Sequence, residues 1–266
     1  MRKNKKKQPS LDYEQKIDLA VKLIRAWLPK FPDKFYLGFS GGADSVLLKH
    51  ITTVAVGRGN FDAVYCVSPI DPRPIHQFIK AEHPDVIWEY HARGFWKMVD
   101  HKGLPFRQRR WCCSIIKEAG GQGRVVLIGN RRDESPRRKS QCFVENARGN
   151  GNKVLLRPIL DFTDNDRWRY IRENNLAYVS LYDEGAENLG YGEGIFQRLG
   201  CVLCPFSRQI VREEEYFPEI VKLWKLACER IVANTKARGY KTKKGKDVKH
   251  KFETGEELYQ WWTKRD

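Results

Sequence analysis

The segment FYLGFSGGADSVLLKH (residues 35–50) constrains the fold more than any other part of this sequence. Its apolar start has the composition of a buried strand, and SVLLKH begins a helical stretch. Two glycines, Gly41 and Gly42, stand where the strand gives way to the helix. The amino end of a helix carries unpaired N–H groups and partial positive charge, and glycines let an anion approach these amides closely. The segment therefore predicts an anion-binding turn at the edge of a sheet.

Short apolar runs alternate with helical stretches around this turn, which predicts a parallel sheet covered by helices. Further strands are predicted at 62–68, 86–90 and 124–130, and helices at about 11–28, 75–82, 113–119 and 212–236. Thr163 and Asp166 form a capping pair that predicts the start of another helix. We predict an α/β fold with a doubly wound parallel sheet over 11–180, after a basic tail at 1–10. A smaller, cysteine-bearing helical region follows at 181–266.

Side chains in the glycine turn favour a phosphate ligand bridged by a metal ion. Ser40 and Ser45 offer hydroxyl groups, whereas Asp44 would repel a phosphate unless it binds Mg²⁺ or orients the loop. The motif is neither GxxxxGK[ST] nor GxGxxG, so it is neither a Walker loop nor a dinucleotide fingerprint. A purely structural turn is the alternative interpretation of the same pattern.

The positive charge of the chain is concentrated in two segments. The net charge is +16, and residues 1–7 contain five basic residues. Residues 236–251 contain eight basic residues and one acidic residue. Such segments favour contact with nucleic-acid phosphates, while solubility alone is the alternative explanation. Because there is no run of eighteen apolar residues and no apolar stretch after the basic start, we expect a cytoplasmic protein without a membrane span.

Four of the seven cysteines have a spacing that suggests a metal site. Cys112 and Cys113 are adjacent, and after 87 intervening residues Cys201 and Cys204 form a CxxC pair. Four thiolates suit an iron–sulfur cluster or zinc by ligand type. Adjacent cysteines are awkward for a zinc site built from CxxC pairs, which favours iron–sulfur. Disulfides are not expected in an intracellular chain.

The remaining cysteines and the tryptophans give weaker signals. Cys66 and Cys228 lie in apolar patterns and are predicted to be core residues, whereas Cys142 is the best placed of the three to react. Four tryptophans could stack on bases, although buried tryptophans are more common: Trp111, Trp168, Trp261 and Trp262.

Several motifs together resemble a known family. SGGADS resembles the pyrophosphatase loop of the N-type ATP pyrophosphatases, enzymes that cleave ATP between its α and β phosphates. GNRRDESPRR (129–138) and RPILDFTDNDRWRYIRENNLAYVSLYDEG (157–185) are similar to segments of one branch of that superfamily, the phosphoadenosine phosphosulfate reductase family. GCVLCPF (200–206) stands in the place of that family's GCxxC segment. The motifs follow the family's order between about residues 35 and 206.

The resemblance implies an adenine nucleotide alpha hydrolase-like fold with these nucleotide-binding positions: Phe39, Ser40, Gly41, Gly42, Asp44, Ser45, Gly129, Arg131 and Arg137. Asp44, Arg131 and Arg137 would be catalytic, with the arginines holding phosphate or sulfate oxygens. For the two arginines, a solvated charged loop is the alternative. Assimilatory adenylylsulfate reductases carry a similar CC…CxxC pattern that holds a [4Fe–4S] cluster, which implies such a cluster here, with zinc as the alternative. Lys117 matches a family lysine, but Ile116 stands where the family usually has arginine.

The resemblance also implies a choice between activities. Sulfonucleotide reductases use a cysteine in a C-terminal tail, and no cysteine follows Cys228 in this sequence. The chain is similar to the ATP-pyrophosphatase subunit of DNA phosphorothioation systems, to phage and mobile-element members and, more distantly, to enzymes that thiolate tRNA. The first hypothesis is therefore an ATP pyrophosphatase that adenylates DNA or tRNA for sulfur transfer. It would use Mg²⁺ and a sulfur donor such as a cysteine desulfurase.

Two alternatives remain open at this point. The first is a sulfonucleotide reductase that releases sulfite from adenylylsulfate or its 3′-phosphorylated form, using Cys142 or the thiol of a partner. The second is a regulator that binds an adenine nucleotide without cleaving it. A homodimer is a further expectation, although the sequence does not fix the oligomeric state.

Overall fold

The computed structural model describes residues 11–30, 33–147, 151–185, 194–238 and 252–264. The strands within these ranges are β1 (Phe35–Gly38), β2 (Phe61–Cys66), β3 (Ile87–Glu89), β4 (Val125–Leu127), β5 (Val144–Ala147) and β6 (Lys153–Leu156). The α-helices within them are α1 (Tyr13–Ala26), α2 (Ala43–Val56), α3 (Arg73–Glu82), α4 (Phe95–Lys102), α5 (Asp164–Glu173), α6 (Ile210–Tyr216), α7 (Pro218–Arg238) and α8 (Gly255–Thr263).

The strands form one sheet in the order β3-β2-β1-β4-β6-β5. β1 pairs in parallel with β2 and β4, and β4 pairs in parallel with β6, which confirms the predicted α/β class. The edge strand β5 is antiparallel to β6 and was not predicted. Its sequence, VENA, has too few apolar residues to show strand periodicity.

The order of the strands reverses at β1. From β1 the chain moves to β2 and β3 on one side, and then returns to β4 on the other side of β1. Ligands of open α/β sheets bind at the carboxyl ends of strands at such a switch point. Because Leu37 of β1 is level with Leu127 of β4, the loops after these two strands leave the same edge of the sheet side by side.

The chain divides into two compact units. The first, here called the sheet unit, comprises residues up to 65, 78–87 and 121–197; the second, here called the cysteine unit, comprises 66–77, 88–120 and 198–266. This division differs from the predicted boundary at residue 180. The segment around the adjacent cysteine pair packs in the same unit as the CxxC pair, so a unit is assembled from distant parts of the chain.

Capping explains where two of the helices begin. The Thr163 side chain accepts from the Asp166 backbone N–H, and the Asp166 side chain accepts from the Thr163 N–H, as predicted for α5. Asp12 and Gln15 form the same reciprocal cap for α1. The long helix predicted at about 212–236 is instead two helices, since α7 begins at Pro218, a residue that suits the first helical turn but not a helix interior.

The core of the cysteine unit is aromatic. Trp224 and Trp262 are buried with ring centroids 4.6 Å apart, and Phe95 lies 5.6 Å from Trp224. Cys228 is fully buried in this core, as predicted. Cys66 was predicted to lie within a strand core; it is instead the last residue of β2 and is only half-buried.

The segment before the cysteine pair folds differently from its prediction. Helix α4 was not predicted at all, and the helix expected at 113–119 is a short π-helical turn, Cys113–Lys117. Gly94 precedes α4 and Gly103 follows it, so its apolar pattern is too short to be recognised as helical from the sequence.

Candidate functional site

The glycine turn lies between β1 and α2, at the switch point of the sheet. Gly41 has φ +75°, a conformation that side chains disfavour, so glycine is required there. The N–H groups of Gly41 and Asp44 donate to no atom in the described ranges. Helix α2 therefore offers unpaired donors and the positive end of its dipole at this turn.

The two serines of the turn, both predicted to offer hydroxyl groups, differ in their contacts. The Ser45 hydroxyl is buried and donates to the Gly42 carbonyl at 2.7 Å, while it accepts from the Ser40 N–H at 3.2 Å. The Ser40 hydroxyl lies 3.4 Å from the Gly42 nitrogen. Ser45 thus stabilises the shape of the turn, and only Ser40 is exposed.

Asp44 is the centre of a charge network, here called the charge quartet, of two buried arginines and two partly exposed aspartates. Asp44 accepts from Arg131 Nε at 2.5 Å, and Arg167 Nη1 lies at 3.5 Å. Asp164 contacts both arginines, at 3.1 Å from Arg131 and 2.7 Å from Arg167. Burial opposes the charge of Arg131, but the Asp44 carboxylate raises the pKa of its guanidinium above the ordinary value. The quartet is electrically neutral and fixes the orientation of Arg131.

Arg131 follows β4 and is only 3% exposed, so the structure brings it to the predicted site. Gly129, two residues earlier, lies so close to the Asp44 backbone that an added Cβ would stand 3.2 Å from its carbonyl oxygen. Arg137 behaves differently. It is exposed on the short turn Pro136–Ser140, and its side chain contacts neither Asp44 nor Arg131 in the described part of the chain.

Phe39 lies in the wall behind the turn. Its N–H donates to the Val64 carbonyl at 2.8 Å, and its ring is buried 4.8 Å from the His83 ring. His83 Nδ1 also accepts from Lys49 Nζ at 3.1 Å, and Lys49 donates to Asp85 at 2.6 Å. Of the predicted nucleotide-binding residues, Phe39 thus contributes packing at this edge.

Two residues at this site escaped sequence analysis. Arg167 of α5 is 3% exposed, and its guanidinium lies 4.6 Å from the Trp168 ring. The buried Tyr182 hydroxyl accepts from the Ala43 N–H at 3.2 Å, at the first residue of α2. Both come from the 157–185 segment, where a motif was visible but no individual side chain was singled out.

The four predicted metal-binding cysteines line one pocket in the cysteine unit. Cys112, Cys113, Cys201 and Cys204 line a cavity of about 30 Å³ together with Lys117. No group of three or more histidine, cysteine, aspartate or glutamate side chains converges on a single ion position in the described ranges. Each cysteine of a [4Fe–4S] site binds a different iron, so its sulfurs surround a volume and do not meet at a point. Four thiols around one pocket are thus a donor set of the kind that holds an iron–sulfur cluster or a zinc ion.

The CxxC loop is held from several sides. Leu203, between the two cysteines, has φ +57°, and its N–H donates to the buried Glu213 carboxylate at 2.6 Å. Val202 donates its N–H to the Ile70 carbonyl at 2.7 Å and accepts from the Trp224 indole at 3.4 Å. The loop is therefore fixed by backbone contacts.

The pKa values of the thiols in the pocket are shifted in different directions. The adjacent thiols share one proton unequally, which lowers the pKa of Cys113 and raises that of Cys112. Burial raises the pKa of Cys201 and of Cys204. Burial disfavours the charge on Lys117, but Asp71, at 3.3 Å, and the Cys201 thiol hold its pKa well above the ordinary value. Burial therefore favours neutral Cys201 and Cys204 thiols, and Lys117 carries the positive charge of this pocket.

The fold is that of an α/β protein with a glycine turn and unpaired helix N–H groups at the switch point of its sheet. The chain belongs to the family of the phosphoadenosine phosphosulfate reductase domain, whose model matches residues 34–207. This finding confirms the family expected from the motifs.

Relatives with the longest matches carry no named activity. The chain is 26% identical over 239 residues to an uncharacterized protein of Methanocaldococcus jannaschii, covering 84% of this chain and 54% of that protein. A second uncharacterized protein of the same organism is 23% identical and is covered to 43%. The chain thus spans about half the length of these curated relatives.

Named relatives match a smaller part of the chain. An adenosine 5′-phosphosulfate reductase of Neisseria meningitidis is 36% identical over 87 residues, which is 31% of this chain and 35% of that enzyme. Among solved structures, the phosphoadenylyl-sulfate reductase of Candida auris aligns with a TM-score of 0.47 and 15% identity, covering 69% of this chain and 97% of that chain.

The predictions on the basic segments, on disulfides and on a membrane span concern different parts of the chain. The basic segment at 1–7 lies outside the described residues, as does the greater part of the one at 236–251. All seven cysteines are free thiols. None of the helices in the described ranges is long and apolar enough to cross a membrane.

Proposed function

We propose that this chain cleaves an adenine nucleotide at its α-phosphate, and that the nucleotide is ATP. The observation that carries the proposal is the glycine turn at the switch point, where the unpaired amides of Gly41 and Asp44 stand beside the buried Arg131. A turn of this kind suits the phosphates of a nucleotide. The family supports adenine as the base.

In the proposed reaction, an oxygen of a nucleic acid attacks the α-phosphorus of ATP. The bond to the bridging oxygen breaks, pyrophosphate leaves, and the nucleic acid carries an adenylate. The terminal persulfide sulfur of a donor protein such as a cysteine desulfurase then displaces AMP. A second thiol cleaves the resulting sulfur–sulfur bond, so one sulfur stays on the nucleic acid and the donor leaves as a disulfide. DNA and tRNA are both candidates for the nucleic acid. The net charge of +16 supports a polyanionic partner, and reduced thiols support a cytoplasmic setting.

The residues of the turn have distinct tasks in this proposal. Arg131 holds an oxygen of the phosphates and stabilises the charge that develops on leaving pyrophosphate. Asp44 orients Arg131 through its ion pair, and its more distant oxygen, 3.5 Å from Arg167, is available to help bind the Mg²⁺ that accompanies ATP. Arg137, exposed on its loop, would contact the nucleotide or the nucleic acid from the solvent side.

Cys112, Cys113, Cys201 and Cys204 would hold a [4Fe–4S] cluster in the cysteine unit. Such a cluster supplies one-electron redox chemistry when bound. Removing one of these ligands tests the assignment directly: Cys201→Ser should lower the iron content and remove the visible absorption of the anaerobically purified protein. Cys142→Ser is the matched control, because Cys142 is exposed and lies outside the pocket. Equal iron in both variants would exclude these ligands.

The activity itself is tested by product analysis. Anaerobically purified protein is incubated with ATP and Mg²⁺, with and without DNA or tRNA, and pyrophosphate is measured. Pyrophosphate release that rises with one of the nucleic acids supports the proposal. Binding of ATP without cleavage under every condition contradicts it and supports a regulator.

A sulfonucleotide reductase is the second candidate, favoured by one observation. Both oxygens of Asp44 are within 3.5 Å of an arginine, so the turn can accept a sulfonucleotide without a metal ion. The stretch that is 36% identical to an adenosine 5′-phosphosulfate reductase points the same way. Release of sulfite from adenylylsulfate with a thiol reductant, without pyrophosphate release from ATP, would establish this activity in place of the first.

A further inference from the structure

The tryptophans differ sharply in exposure. Trp111, Trp168 and Trp262 are at most 7% exposed, so they serve the cores and cannot stack on a ligand without unfolding. Trp261 is 43% exposed, although its neighbour in α8 is buried. A single exposed ring needs no explanation, whereas a group of exposed rings and charged side chains can mark a binding surface.

Trp261 belongs to a continuous group of aromatic and arginine side chains in the cysteine unit. Its ring lies 5.7 Å from the Phe106 ring, and the Arg109 guanidinium lies 6.0 Å from Phe106 on the loop before the cysteine pair. Phe252 packs against Trp261 at 5.2 Å and supports its orientation. The indole is therefore held in place at the surface.

A second exposed ring extends the group. Phe206 is 40% exposed and lies 5.5 Å from the Arg110 guanidinium. Arg107 Nε donates to the carbonyl of Pro205, next to Phe206, at 2.8 Å. The loop at 106–110 thus contacts both exposed rings: Phe106 contacts Trp261, and Arg110 contacts Phe206.

We propose that this surface binds a segment of single-stranded nucleic acid. We call it the arginine–aromatic strip, and its members are Phe106, Arg107, Arg109, Arg110, Phe206 and Trp261. The proposal rests on the proposed function, in which a nucleic acid is the substrate, and it identifies the surface that holds that substrate.

Charge favours a nucleic acid over a protein partner. Arg107 and Arg109 form no ion pair with a carboxylate of the described residues. Arg110 forms an ion pair with Glu118 at 3.3 Å. The exposed arginines of this loop provide phosphate contacts, and the exposed rings of Phe206 and Trp261 provide stacking platforms, the two features of single-strand binding. The core of a protein interface, in contrast, is depleted of charge.

The strip also adjoins the cysteine pocket. Pro205, beside Phe206, and Cys112, two residues after Arg110, both line that pocket. A strand bound along the strip would therefore pass close to the four cysteines, where the proposed cluster would lie.

Fluorescence anisotropy of labelled single-stranded DNA, single-stranded RNA and duplex DNA tests the proposal on the full chain at several salt concentrations. Arg109→Gln should weaken single-strand binding and make the salt slope shallower by about 0.7, the value for one lost phosphate contact. Trp261→Ala should weaken it at least about fivefold, since stacking on one base contributes that much. Trp261→Phe should restore most of the affinity, which a merely structural tryptophan would not predict. Comparison of the affinities for single-stranded DNA and single-stranded RNA identifies which nucleic acid is the substrate.

Control variants separate the strip from general positive charge. Arg93→Gln and Tyr90→Ala change an exposed arginine and a 71% exposed aromatic residue of the same unit, outside the strip, and should leave affinity unchanged. Phe206→Ala serves as a second stacking variant should Trp261→Ala fail to fold. Equal affinity of strip and control variants would overturn the proposal and assign binding to the basic segments.

Two further outcomes are decisive. Competition by an acidic peptide as strong as that by single-stranded DNA would overturn the proposal in favour of a protein partner. Pyrophosphate release from ATP, measured on the same unsubstituted protein, distinguishes the two proposals. Strip-dependent DNA or RNA binding without ATP cleavage refutes only the proposed function, and ATP cleavage without such binding refutes only the strip.

Discussion

The glycine turn and the cysteine pocket hold reactive groups by opposite means. At the turn, side chains hold side chains: Asp44, Arg131 and Arg167 come from distant parts of the chain and meet through ion pairs. In the cysteine pocket, side chains hold backbone, as Glu213 holds the N–H of Leu203. Charge balance therefore fixes the first region, and packing of a loop against a core fixes the second.

This difference predicts which property a substitution changes in each region, ligand affinity or local stability. A neutral network of partly exposed ions rearranges when one member is lost, so its loss should appear mainly in ligand affinity. A loop with Leu203 at positive φ is retained only because its surroundings enforce that conformation, so loss of a contact should appear in local stability. The following predictions test that contrast.

The largest effect is expected for Arg131→Met. Loss of this arginine leaves Asp44 and Asp164 with Arg167 as their remaining partner, and the phosphates lose a charged donor. Nucleotide affinity, measured by calorimetry with ATP and with adenylylsulfate, should fall by about 10- to 100-fold, as for a lost charged hydrogen bond. Stability should fall less, by about 1 kcal/mol, because Asp44 and Asp164 keep Arg167 as a partner and are partly hydrated.

Arg132→Met is the matched control for this variant. Arg132 is the adjacent arginine and pairs with Asp161, outside the charge quartet. It should leave nucleotide affinity unchanged. If both variants lose affinity equally, general positive charge explains binding, and the oriented guanidinium of Arg131 has no special role.

Acid should weaken the wall behind the turn. Burial, and then the positive charge of Lys49, lowers the pKa of His83 from 6.5 to about 4. Because the folded pKa lies below that of the unfolded chain, the unfolded chain binds the proton first as pH falls below about 6.5. Stability should therefore fall between pH 6.5 and 4, by about 3 kcal/mol at most for a shift of this size.

His83→Gln removes this titration while keeping a hydrogen-bond partner for Lys49. Denaturant unfolding at several pH values should show a smaller acid loss in this variant than in the unsubstituted protein. His101→Gln, at an exposed position, is the control. Parallel pH profiles for all three proteins would contradict the assignment to His83.

A smaller effect is expected when the support of the CxxC loop is removed. Glu213→Leu leaves the Leu203 N–H buried without its acceptor, which should cost about 1–3 kcal/mol. In metal-free protein, Cys201 and Cys204 should then react with a thiol reagent about tenfold faster, the change that 1.4 kcal/mol of easier opening gives. Peptide mass spectrometry reads the labelling of each cysteine.

Glu215→Leu is the matched control, since Glu215 is exposed on the same helix. Glu213→Gln should be intermediate, because its amide oxygen still accepts a hydrogen bond. Labelling rates that do not differ among the three variants would mean that the core, through Trp224 and Ile70, holds the loop without Glu213.

The contrast between the two regions also explains which site residues could be predicted from the sequence. The glycine turn was predictable because local rules act on adjacent residues, and Arg131 because it follows a strand at the same sheet edge. Arg167 was not, because a helix arginine is usually solvated. One signal was present: Arg167 stands three and four residues before the buried Tyr170 and Ile171, on one helix face.

The cysteine unit was less predictable for a physical reason. The spacing of its cysteines suggested a joint site, and all four do line one pocket. Glu213, however, is the first of three consecutive glutamates, and nothing local distinguishes it from its two less buried neighbours. Its role depends on a loop ten residues away and on burial in a core assembled from distant segments.

The smallest effect, and the finest test of the contrast, is expected for Gly129→Ala. The added Cβ would stand 3.2 Å from the Asp44 carbonyl oxygen, so the first turn of α2 must shift by a few tenths of an ångström. Such a shift misaligns Asp44 with Arg131 without removing a charge, and we expect a loss of affinity of about 1 kcal/mol, or fivefold. Gly59→Ala, where an added Cβ meets nothing within 4 Å, is the control. Unchanged nucleotide affinity in Gly129→Ala would mean that the turn tolerates displacement, and that the charge quartet adapts to its ligand instead of being preorganised for it.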